Sequence, residues 1–251
     1  MEHLNIDNHE GVAVVAFDRP PANALGRELV SELRKALGEL EAKDGVNALV
    51  LSSDFEDFFC AGLDLYELPT YNETELEEFV RDVLGLTLQM LRYDLPLVAA
   101  VPGHCTAAGA HLAAYADFRI ASKGDYQIAY HEVDVGIPVV EPEILPVKDL
   151  VGTDIRDLFL KGEVWGPDRA YEAGLYDELV APEEVEEEAV SLARDLGGKP
   201  SKNYSFISTE LRGTAVRLFD ENMETYVEDI MEVASDPDTQ RAVMERVSEI
   251  E

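Results

Sequence analysis

Two stretches of this sequence join strand-like apolar runs to glycine and alanine: Phe58-Phe59-Cys60-Ala61-Gly62-Leu63-Asp64-Leu65, and the run from Ala99 through Pro102-Gly103-His104-Cys105-Thr106-Ala107-Ala108-Gly109-Ala110-His111 to Ala113. In the first, an Ala-Gly pair suits a backbone that must approach a ligand closely. In the second, a strand ends, small residues carry the turn and a helix begins. Unpaired N–H groups at a helix start, aided by the macrodipole, form an anion site. Two such amides aimed at one carbonyl oxygen make an oxyanion hole. Each stretch by itself is also an ordinary strand-to-helix connection. An oxyanion hole only stabilises charge, so a side chain must move the proton. His111, an imidazole with an ordinary pKa of about 6.5, can act as acid or base; on an alanine-lined helix it is equally a satisfied core or interface histidine.

The elements that position these turns alternate in type. Residues 11–17 form an apolar run of strand length, with a partner strand around residues 4–7. Leu29, Leu33, Leu37 and Leu40 recur at helical spacing and predict an amphipathic helix over 27–42. Residues 46–51 read as a buried strand and 73–92 as a long helix. A strand over 97–101 follows Pro96, then a small-residue helix over 107–115 and a strand over 118–122. Residues 161–163 read as a turn between helices and 176–180 as a short strand, and Pro182 opens another helix. From about Ser201 onward the pattern is helical, with Phe219, Met223, Tyr226 and Ile230 on one face. The alternation predicts an α/β fold. No Pro/Gly/Ser-rich linker divides the 251 residues, which predicts one domain.

Composition narrows the function classes. Asp and Glu total 52 against 20 Lys plus Arg, a formal net charge of -32. Such a surface repels itself at low ionic strength and disfavours nucleic acid and anionic membranes as partners. It is tolerable where the screening length shrinks to about 3 Å, near 1 M salt, so the expected setting is a very salty cytoplasm. Periodic apolar residues argue against disorder, and the acid is spread along the chain rather than gathered in a tail. No apolar run approaches the roughly 18 residues of a membrane span, and the acidic start predicts a cytoplasmic protein without a signal segment. Cys60 and Cys105 are the only cysteines and are expected as reduced, small apolar side chains. No His/Cys cluster has metal-ligand spacing, and no metal is expected.

Three segments in register give the chain a family likeness. Asp18-Arg19-Pro20-Pro21-Ala22-Asn23-Ala24-Leu25 is similar to the opening (N/D)RP…NAL signature of the crotonase (enoyl-CoA hydratase/isomerase) superfamily. Residues 58–65 resemble its Phe-x-Ala-Gly-x-Asp-hydrophobic motif, and residues 99–113 its AAV-x-G-x-(small)-Gly segment. The resemblance implies an α/β fold built as a crotonase-like spiral of repeated ββα units over residues 1–200. A helical lobe of the same domain, 201–251, would pack on the core or on a neighbouring subunit. It also implies an acyl-CoA thioester as substrate, no cofactor beyond the coenzyme A moiety of that substrate, and a homotrimer or dimer of trimers. The backbone N–H groups of Leu63 and Ala108 would hold the thioester oxygen as it becomes an enolate. Coenzyme A would lie bent along Ala24, Ala61, Leu63, Asp64 and Leu65, held through backbone. Arg19, Arg27 and Lys35 are the candidate cations for its phosphates.

The family's hydratases add water with two glutamates, one in the small-residue turn and one about twenty residues later. The corresponding positions here are His111 and Glu132. A single carboxylate suits an allylic isomerisation, so the resemblance implies conversion of 3-enoyl-CoA to trans-2-enoyl-CoA with Glu132 as base. His111 keeps a hydratase open, and a non-catalytic acyl-CoA binder or a thioester hydrolase are further alternatives. Glu141 and Glu143 are expected to be solvated loop residues, one residue displaced from an acid of the dienoyl-CoA isomerases. His131 and Asp134 are expected to be structural, and His104 to have no role. After Gly136 the chain departs from the hydratases' Gly-rich pattern, which leaves acyl length and pathway open.

Overall fold

Strands that are apolar on both faces need cover on both faces, and this chain meets the need by repetition. In a computed structural model describing residues 1–250, β1 (Leu4–His9), β2 (Val12–Phe17) and α1 (Arg27–Glu41) come first. They are followed by β3 (Ala48–Ser53), β4 (Phe58–Cys60) and α2 (Glu73–Leu91), then β5 (Leu97–Val101), β6 (His104–Thr106) and α3 (Ala108–Tyr115). A last unit has β7 (Phe118–Ser122), β8 (Ile128–Ala129) and α4 (Glu132–Val135). Then come α5 (Glu141–Val151), α6 (Ile155–Lys161), α7 (Pro167–Glu172), β9 (Glu178–Val180), α8 (Val185–Gly197), α9 (Ser201–Ala234) and α10 (Pro237–Ile250).

The strands sort into two sheets. One has the order β1-β2-β3-β5-β7-β9 and the other β4-β6-β8. Every ladder is parallel except the antiparallel β1–β2 pair. The period of two divides the large sheet's side chains between two cores. Val12, Val14, Val50, Val98 and Ile120 pack with Val185, Ala189 and Ala193 of α8. Ala13, Val15, Phe17, Leu49 and Leu51 pack on the other face with Leu29, Leu33 and Leu37 of α1.

The expected α/β architecture and ββα succession are present, with the named helices and most strands within about two residues of their expected bounds. The three-stranded sheet was not anticipated. Its strands are two or three residues long, too short for a period of two to register. The residue pattern over 132–135 and 141–151 likewise predicts no element where α4 and α5 lie. Among the described residues no helix is long and apolar enough to cross a membrane.

Helix α9 lies across α2 and α5, with Phe219 fully buried beneath it. Asp117 ties it to the large sheet. One carboxylate oxygen accepts from the Leu97 N–H at 2.9 Å, and the other meets the Arg212 guanidinium and the Ser208 hydroxyl. Both partners of the Asp117–Arg212 pair have side chains only 12% exposed, so removing one strands a desolvated charge. Asp117→Ala is expected to lower unfolding free energy by roughly 3 kcal/mol, and the Asp117→Ala/Arg212→Met double variant by less, measured by urea titration in molar salt.

Candidate active site

The loop between β2 and α1 is pinned against β4 by two side chains. Asn23 is fully buried in the left-handed region, with φ 54°. Its Oδ1 accepts from the Arg19 N–H at 2.8 Å, and its Nδ2 donates to the Phe59 carbonyl at 3.0 Å and to Ser53 Oγ at 2.8 Å. The Arg19 guanidinium donates to the Ala24 carbonyl at 2.7 Å and pairs with Asp64 at 2.6 Å. Backbone bonds complete the clamp: the Ala61 N–H to Ala22 (3.0 Å), the Leu25 N–H to Gly62 (2.7 Å) and the Asp64 N–H to Leu25 (3.1 Å). Residues 61–65 are thereby held so that alternate side chains face opposite ways. Ala61, Leu63 and Leu65 line a cavity, whereas Gly62 and Asp64 are buried in the protein. Of the residues expected along coenzyme A, Ala24 and Asp64 do not line this cavity. The Asp64 carboxylate is occupied by Arg19 and by the Tyr66 and Glu67 N–H groups.

The second turn meets the first at two glycines. A Cβ on Gly109 would lie 2.3 Å from the Cys60 carbonyl oxygen, and one on Gly62 would lie 2.8 Å from the Ala107 Cβ and 3.2 Å from the Ala108 nitrogen. Between them Ala107 takes φ 50° and ψ -129°, a strained conformation for a residue with a side chain. This geometry starts α3 at Ala108. Among the described residues, neither the Leu63 N–H nor the Ala108 N–H donates to a protein acceptor, and both residues line the cavity.

The cavity holds about 440 Å³. Its walls are mostly apolar: Phe79 and Val83 of α2, Ile230 of α9, and Val243 and Met244 of α10. His111, Glu132, Glu143 and His131 also face it. Glu132, the first residue of α4, approaches His111 of α3, Oε1 to Nε2, at 3.4 Å, and both side chains are 6% exposed. His111 Nε2 and Glu132 Oε2 are nevertheless buried without a hydrogen-bond partner. On its other side the His111 ring meets the Tyr115 hydroxyl at 3.4 Å and packs edge-on against Tyr130 and Phe159. Burial disfavours the imidazolium, but the carboxylates of Glu132 and Glu143 outweigh it and raise the His111 pKa. Burial raises the pKa of Glu143, against the opposing pull of His111 and of the Val140 N–H.

Several expectations need correction here. Glu143 is not a solvated loop residue: it lies in the first turn of α5 and lines the cavity, while Glu141 is exposed. His131 also lines the cavity, and its pKa is lowered by burial. Helical periodicity has no purchase on a four-residue α4 and a proline-interrupted α5; for Glu143 the one available signal was its nearness to the acid of the dienoyl-CoA isomerases. Asp134 is exposed, and His104 accepts from the Gln127 N–H outside the cavity. The three candidate phosphate cations are engaged with carboxylates: Arg19 with Asp64, Arg27 with Glu78 and Lys35 with Glu39. Cys60 and Cys105 are buried free thiols, and burial pushes Cys60 up to about 12.

This arrangement gathers two amides that no protein group accepts from, a buried carboxylate and a mostly apolar cavity. Residues 7–243 match the enoyl-CoA hydratase/isomerase family. The chain belongs to that family. Human mitochondrial enoyl-CoA delta isomerase 1 is 32% identical over 189 residues, 74% of this chain and 62% of that protein. An enoyl-CoA isomerase/hydratase of Zymoseptoria tritici is 30% identical over 203 residues, 75% of this chain and 64% of that protein. The chain thus spans under two thirds of the length of these curated relatives. The crystal structure of human mitochondrial delta3-delta2-enoyl-CoA isomerase superposes with a TM-score of 0.96 at 24% identity, covering 99% of this chain and 98% of that one. That likeness concerns the fold of this family member.

Two measurements probe the site. Gly109→Ala must displace the Cys60 carbonyl and with it the Ala108 amide, and turnover is expected to fall by about 10²–10³-fold, the cost of losing one preorganised donor, measured as kcat. For His111, a folded pKa above 6.5 means its stabilisation is full below pH 6.5 and is lost as pH rises through the folded value. The stability advantage of the wild type over His111→Gln, measured by urea titration, is therefore expected to shrink above pH 6.5.

Proposed function

We infer that this chain isomerises 3-enoyl-CoA thioesters to trans-2-enoyl-CoA. In this reading the Leu63 and Ala108 N–H groups hold the thioester oxygen. Glu132 removes a proton from C2, and the electron pair delocalises onto that oxygen as a dienolate. Protonation at C4 completes the shift of the double bond. Coenzyme A runs along Ala24 and residues 61–65, and the acyl chain enters the apolar cavity. The carrying observation is the buried Glu132 carboxylate, which faces one cavity with two amides that no protein group uses. The names of the human and fungal relatives, a delta isomerase and an isomerase/hydratase, support the same chemistry.

Hydration of trans-2-enoyl-CoA is the second reading. Adding water takes a base for the water and an acid for the carbon, and His111 and Glu143 beside Glu132 supply further acid-base groups. The enzyme works in a salty cytoplasm as a homotrimer or dimer of trimers. Exposed Phe206, Ile207 and Leu211 near the start of α9 support self-association.

Incubation with 3-hexenoyl-CoA in molar salt is expected to give a product of unchanged mass that coelutes with trans-2-hexenoyl-CoA. Glu132→Gln is expected to lower kcat by about 10²–10⁴-fold. A product heavier by one water, from this substrate or from crotonyl-CoA, would replace the isomerase with the hydratase. Charge gives a second test. With a net charge of -32 and its candidate cations paired, the protein repels the phosphates of coenzyme A. The KM is expected to fall as salt rises from about 0.1 M to about 1 M and the screening length contracts from about 10 Å to about 3 Å. A KM that climbs steadily with salt, in a protein whose fold is intact, would contradict this.

A further inference from the structure

The proposed isomerisation removes a proton at C2 and adds one at C4, and Glu132 alone would have to reach both carbons. Glu143 faces the same cavity from a different element, the first turn of α5, which packs against the helix carrying His111. An acid in the first turn of a helix ordinarily points to water, as Glu141 does two residues earlier. Glu143 is instead partly buried, lines the cavity and interacts electrostatically with His111 and Glu132. Its side-chain hydrogen bond, accepted by Oε2 from the Val140 N–H at 3.1 Å, is a cap that needs no burial. The turn that capping builds therefore presents the carboxyl to the cavity.

We propose that Glu143 is a second catalytic residue, the acid that protonates C4 of the acyl chain after Glu132 has taken the proton from C2. The assignment rests on the isomerase reading. In the first step the C2–H bond breaks, the proton goes to Glu132, and the electron pair is delocalised onto the thioester oxygen. In the second, that oxygen's negative charge collapses to re-form the C=O bond. The C1–C2 π pair becomes the C2=C3 bond, and the C3–C4 π pair takes the Glu143 proton at C4. Glu143 is left ionised and Glu132 protonated, with no net gain or loss of protons. Between turnovers Glu132 gives its proton to solvent and Glu143 takes one from solvent, so the hydrogen lost from C2 is not the one added at C4. Burial favours the neutral acid that the second step consumes.

Isotope transfer separates one acid from two. With 3-hexenoyl-CoA carrying two deuterium atoms at C2, in ordinary water, the wild type is expected to place mostly solvent hydrogen at C4 of the product. Glu143→Gln keeps an acceptor for the Val140 N–H. It is expected to lower kcat by about 10²-fold or more, with the Kd for saturated hexanoyl-CoA within about threefold, while Glu141→Gln stays near wild type. The variant's residual product is expected to carry C2 deuterium at C4, because Glu132 then serves both carbons. The proposal is overturned if the wild type transfers most of its C2 label to C4, a result that needs no variant to fold. It is equally overturned if Glu143→Gln keeps kcat within about threefold. A wild type inert toward 3-enoyl-CoA, or a fully active Glu132→Gln, would sink the isomerase reading itself. An active wild type with an indifferent Glu143 would sink this assignment alone.

Discussion

The molecule depends on one close approach, that of the turn after β4 to the turn before α3. Only hydrogen fits on Gly109, because the Cys60 carbonyl oxygen stands where a Cβ would go, and Gly62 sits almost as tightly against Ala107 and Ala108. Among the described residues the Leu63 and Ala108 amides on these two turns find no protein acceptor, and both residues line the cavity. The β4–β6 ladder pairs Phe58 with His104 and Cys60 with Cys105, fixing the register. Asn23 and Arg19 hold the outer wall with hydrogen bonds to Phe59 and Ala24 and an ion pair to Asp64. The strain at Ala107 persists because both sides are determined elsewhere. Orphan amides are costly inside a protein, and here the residues that carry them line a cavity.

Electrostatics act at two scales in this protein. Outside, a charge of -32 makes ionic strength part of the folding and binding equilibrium. Inside, His111 and Glu143 share a mostly apolar cavity with the Glu132 carboxyl, and the pKa values of His111 and Glu143 are both raised there. Bulk salt screens the first field strongly and the second weakly. Salt can therefore govern how a charged ligand and the protein meet while the pKa values inside the site are set by burial and near neighbours. The cations of the opening motif belong to the inner architecture, because Arg19 is spent on Asp64 and Ala24.

The sequence by itself determined the α/β class, the buried strands, the long helices and the two small-residue turns. These rest on periodicity and on glycine, whose physical signatures are local. It also marked Glu132 and His111 through motif spacing alone, since nothing in their immediate surroundings distinguishes them from other polar residues of an acidic chain. Tertiary structure decided that the two side chains meet at 3.4 Å, that Asp64 turns inward to Arg19, and that Glu143 joins the cavity rather than the solvent. The short second sheet and α4 lay below the length at which a period can be read. Side-chain pairing across elements depends on where whole helices dock. A first-turn glutamate looks the same in sequence whether α5 aims it at water or at a histidine on α3; only the packing of one helix on the other makes the difference.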